Sequence, residues 1–103
     1  MKNYSFEKEI EKVEESARIC KLNIENQEKK LVELSKRTTA IQGKMAIINS
    51  LPPTEREELI NIDNRLKYQT SLQKGLILEF QGALTLYENK LQSLKSNSIC
   101  DNL

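Results

Sequence analysis

The sequence predicts an all-α protein, a long antiparallel helical hairpin of coiled-coil type that assembles further into a multi-helix bundle. Three observations carry this: an apolar residue every three or four positions through both halves of the chain, a Pro-Pro break between the halves, and a composition of 38% hydrophobic, 30% charged and only 5% aromatic residues. Such periodicity marks helices that bury one stripe against other helices. At 103 residues, with no Trp, the chain makes one structural unit without a thick core.

The break is Leu51-Pro52-Pro53-Thr54. Both prolines lack an N–H, and each disfavours helical geometry in the residue before it, so the first helix must stop near Ser50. Thr54 is expected as the N-cap of a second helix, with Glu57 completing a capping box and Glu55, Glu57 and Glu58 at the positive end of the helix dipole. The hairpin then spans 1–96, with helices at about 5–49 and 54–96 joined by a turn over 50–54. Residues 97–103 lose the periodicity, gain turn formers and are expected to fray. The near-equal arms favour folding back over a kinked rod that dimerises in parallel, although the repeat phase runs from Met45 through Pro52 to Leu59 without a slip.

In the first half a seam steps alternately by four and three through Phe6, Ile10, Val13, Ala17, Cys20 and Ile24, and on through Leu31, Leu34, Ile41, Met45 and Ile48. Only Gln27 and Thr38 interrupt it, and polar residues there either fix register or mark a wetter layer. A repeat of 3.5 residues sustained this long requires a partner helix. Glu14 with Arg18, Glu25 with Lys29 and Glu33 with Arg37 are acid-before-base pairs at a spacing of four, expected on the solvated face. Gly43 lies opposite the seam.

The second half carries a wider stripe. Leu59, Ile62, Leu66, Gln69, Gln73, Leu76, Phe80, Ala83, Tyr87, Lys90 and Leu94 form its line, and Ile77, Leu84 and Leu91 its flank. Further apolar residues lie off this stripe: Tyr68, Leu72, Leu78 and Leu86, with Gly75 and Gly82 among them. From Tyr68 to Tyr87 the only charged residues are Lys74 and Glu79. A two-helix hairpin buries about a third to a half of each helix, so this depletion asks for other chains, and the candidate partner-binding residues are Tyr68, Leu72, Gly75, Leu78, Gly82 and Leu86. The glycines, one heptad apart, would let another backbone come close.

Composition also excludes. Sixteen basic against fifteen acidic residues give a net charge of +1, interspersed, which draws the chain to neither nucleic acid nor an acidic membrane. No stretch reads as a signal peptide or a membrane span, so the chain is expected to be soluble and intracellular, cytoplasmic or nuclear. Without His, and with Cys20 and Cys100 unpaired by any motif, no common zinc site or histidine base can form. Asn3-Tyr4-Ser5 is a chance glycosylation match. The glycines form no phosphate loop, and Glu14-Glu15 and Glu57-Glu58 lie on exposed helix surface where nothing separates their pKa values.

The expectation is therefore a subunit with no catalytic residue, cofactor, metal or small-molecule substrate, which assembles with other helical chains, its own copies or different ones. Kinetochore or spindle rods and membrane-tethering scaffolds are settings of this style. The alternative is a small escort that shields a client's amphipathic helix, distinguished by exchange of the partner rather than a persistent complex.

Overall fold

The computed structural model describes the backbone of residues 2–102 and the side chains of 6–97. The chain is an all-α hairpin: helix α1 (Lys2–Met45), a 3-10 turn (Ile48–Ser50) and helix α2 (Pro53–Asn102), with no strand among the described residues. The backbone stays helical through 97–102, past the expected fraying point. Leu103 and the side chains of Asn3 and Cys100 lie outside the described residues.

The connection follows from its prolines. Leu51 is extended (φ −89°, ψ 151°), the conformation a following proline demands. To reach it, α1 ends at Met45 rather than near residue 49, and the chain tightens into three-residue hydrogen bonds, Ser50 N to Ile47 O at 3.0 Å and Leu51 N to Ile48 O at 3.1 Å. The expected cap is corrected. Pro53, not Thr54, opens α2, and the Pro52 carbonyl takes the first helical bond from Arg56 N at 3.0 Å. A proline in the first helical position loses nothing, since its missing N–H would have no partner there. Arg56 Nε also donates to Leu51 O at 2.9 Å, tying the turn to the helix it starts.

The two helices pack antiparallel, and their contacts group into two units: a terminal unit of 1–25 with 78–103, and a turn unit of 26–77. In the terminal unit Val13, Ala17, Cys20 and Ile24 are buried, while Phe80, Leu84, Tyr87, Leu91 and Leu94 are half-buried. Ala17 and Cys20 are small, which lets the helices approach until the Cys20 thiol donates to the Phe80 carbonyl at 3.0 Å. Lys90 pairs with Glu9 at 3.2 Å and Lys95 with Glu14 at 3.8 Å. The charge pairs therefore differ from those expected: Glu14 reaches across to α2, and Arg18 takes Glu15 and Lys36 takes Glu33 at a spacing of three.

In the turn unit Leu59, Leu66 and Ile77 are buried, and Leu31, Leu34, Ile41, Met45 and Ile48 are half-buried. Gln73 Nε2 donates to the Gln27 backbone carbonyl at 3.2 Å and to its side-chain oxygen, so these two polar residues bond each other across the helices. Thr38 instead returns its hydroxyl to Leu34 O in its own helix at 2.8 Å. Gln27 matches helix to helix; Thr38 merely satisfies itself.

Every seam position expected in α1 lies away from solvent, but the α2 stripe is corrected at alternate positions. The observed line passes through Leu59, Asp63, Leu66, Thr70, Gln73, Ile77, Phe80, Leu84, Tyr87, Leu91 and Leu94. Ile62 and Leu76, expected in the seam, are 41% and 40% exposed, and Gln69 and Lys90 also face water. The column that includes Ile77, Leu84 and Leu91 is worth more inside than the one holding Leu76, Ala83 and Lys90, because it adds large side chains and spares a buried ammonium. A regular helix keeps one phase, so Asp63 and Thr70 are carried inward with it.

Candidate partner-binding surfaces

Asp63 is only 4% exposed. Its Oδ2 lies 3.0 Å from Lys67 Nζ, while Oδ1 has no partner among the described residues. The turn unit thus holds a polar group inside and, one residue earlier, turns an isoleucine outward.

That inversion shapes a trough along one side of the turn unit. Leu34, Leu72 and Leu76 line one end, with Lys30 and Glu33 at the rim. In the middle Ile41, Ile62 and Leu66 lie between Arg37 and Arg65, with no carboxylate. The end beside the turn is lined by Ile47, Leu51 and Leu59 with Lys44, Glu55 and Glu58. A further hollow is lined by Leu31, Ser35, Thr38, Lys67, Thr70, Ser71 and Lys74. Among the described residues neither Arg37 nor Arg65 has an ion pair or side-chain hydrogen bond.

The candidate partner-binding residues are all exposed. In the turn unit Tyr68 is 65% exposed, with Leu72 and Gly75 also open to water; in the terminal unit Leu78 is 68% and Leu86 70% exposed, with Gly82 between them. A Cβ built on Gly75 or Gly82 meets nothing within 4 Å, and no described glycine has a positive φ. Neither backbone conformation nor crowding inside the chain requires these glycines.

No family model, curated protein or solved structure matches this chain. The surfaces are therefore read from their own chemistry. Among the described residues no three of His, Cys, Asp and Glu cluster as metal ligands, and no helix is long and apolar enough to cross a membrane.

Sequence reasoning found Tyr68, Leu72, Leu78 and Leu86 through the missing charges of α2, but not the exposed Ile60, Ile62 and Leu76. It missed the trough. Lys30, Arg37, Lys44 and Arg65 read as solvated helix charges until the phase of α2 against α1 shows which apolar residues lie between them.

Proposed function

We propose that this chain is a non-catalytic coiled-coil subunit that assembles with other helical protein chains in an intracellular complex, cytoplasmic or nuclear. It takes no cofactor, nucleic acid or small-molecule substrate, and its contribution is surface. Kinetochore or spindle rods and membrane-tethering scaffolds are complexes of this style.

The observation that carries the reading is the exposure of Tyr68, Leu78 and Leu86, large apolar side chains on a helix that already has a packed seam. Burying such a side chain contributes about 1.5–3 kcal/mol, so several left in water on one helix favour association. Isolating the tagged chain from its native cell tests this. Wild type should bring down helical companions in fixed ratio, and Leu78→Glu with Leu86→Glu should lose them while circular dichroism stays helical. Retention of every companion by that variant rejects the surface.

A further inference from the structure

We propose that the early turns of α2 are a two-state element: the segment around Leu66 has a second helical phase, in which Ile62 and Gln69 enter the seam and Asp63 and Thr70 leave it.

Both phases keep the same anchors. Leu59, Leu66, Gln73 and Ile77 lie away from solvent in the observed phase and stay so in the second. Between them the segment turns about its own axis by about 50°, half the angle between successive helical residues. The spacing permits this. The observed phase steps from Leu59 by alternating fours and threes; the second runs Leu59, Ile62, Leu66, Gln69, Gln73, Ile77, so that two steps of four meet at Gln73. Such a stutter unwinds the supercoil locally without breaking the helix. Gln73 is held by its bond to the Gln27 backbone carbonyl at 3.2 Å, so the change of phase ends at that layer. Beyond Ile77 there is no rival phase, because the neighbouring column holds Ala83 and Lys90.

The stabilising contacts are divided between the two phases. The first keeps the strict repeat and places Thr70, not the longer amide of Gln69, in the seam. It also buries Asp63, 4% exposed with Oδ1 unpartnered among the described residues, while the adjacent Ile62 is left in water. The second reverses that layer, with an isoleucine inside and a carboxylate outside, and burying an unpaired polar group is costly. The ion pair does not oppose the change. Lys67 lies 3.0 Å from Asp63 on the same helix, one turn on, and travels with it. Local preferences that conflict in this way bring two packings close in free energy. Each phase also presents a different surface: Ile62 between Arg37 and Arg65 in the first, Asp63 and Thr70 in the second. A contact made to either surface selects its phase.

Methyl relaxation-dispersion NMR of the full chain tests this, since shifts of helix register fall in the μs–ms range it detects. The test needs no partner. Wild type should show exchange at Ile62 and Leu66 and none at Leu84 and Leu91. Asp63→Leu removes the conflict from the first phase and should abolish that exchange. Gln69 is exposed, so Gln69→Leu should stay helical by circular dichroism while favouring the second phase. In that variant the Ile62 methyls should be protected from a soluble gadolinium chelate by roughly twofold or more relative to wild type. Four results would each overturn the proposal: no exchange at Ile62, exchange shared by Leu84 and Leu91, exchange that persists in Asp63→Leu, or an Ile62 as accessible in Gln69→Leu as in wild type.

Discussion

Asp63 is the residue whose environment fits least well with its chemistry, a carboxylate in an apolar seam with one oxygen unpartnered among the described residues. Replacing such a group by a hydrophobe of similar size removes a desolvation cost, so Asp63→Leu should stabilise the hairpin by about 1–3 kcal/mol in urea unfolding. Lys67→Ala should act in the opposite sense, by about 1 kcal/mol, because it strips the carboxylate of its counter-charge although the ammonium itself is largely in water. Glu15 behaves differently. Its hydrogen bonds from Arg18 hold its carboxyl below the ordinary value. A lowered carboxylate stabilises above its unfolded pKa, and that contribution is lost as pH falls through the folded value. Both groups are fully exposed, so Arg18→Ala should leave the acid side of the pH–stability curve almost unchanged. Gly75→Ala and Gly82→Ala should each raise the stability of the isolated hairpin by about 0.5–1 kcal/mol, since a helical Cβ fits there freely. The same changes should weaken assembly if another backbone comes close at these positions, which thermal melts and light scattering together would separate.

At the scale of the helix, the phase of α2 decides which side chains a partner meets. Ile77→Glu puts a charge into the seam and should cost more than about 3 kcal/mol by denaturant unfolding, whereas the neighbouring Leu76→Glu should leave the hairpin folded. Equal effects would show that the observed phase is wrong. The two helices were not equally legible from sequence. In α1 nearly every core position is apolar and its neighbours are charged, so periodicity alone finds the face. In α2, Ile62 and Leu76 compete with Ile77, Leu84 and Leu91 for adjacent columns, and polar residues stand in both. Periodicity cannot rank two columns one residue apart; only opposition to α1 does, through contacts such as Cys20 with Phe80 and Gln27 with Gln73. The turn was misread for a related reason. Thr54 has the right chemistry for a cap, but Pro53 has its φ already set for the first helical position and starts α2 before Thr54 can serve.

For the molecule as a whole, hydrophobic residues are divided between a seam that closes the hairpin and an outer set that the hairpin leaves in water. The part of the second set from Tyr68 to Leu86 was visible in sequence as a scarcity of charge, whereas Ile19, Leu22, Val32 and Ile60 lie outside that stretch. The trough was not visible in sequence, because it arises only when α2 turns Ile62 and Leu76 away from α1. Both surfaces lead to the same expectation, that the functional form contains more helices than this chain supplies. The mass of the tagged wild-type chain isolated from its native cell, measured by light scattering, tests that most directly. A discrete mass above that of one chain, made up by further copies or other helical proteins in fixed ratio, is the predicted result. A single chain of 11.9 kDa, with Tyr68, Leu78 and Leu86 open to water, would contradict it.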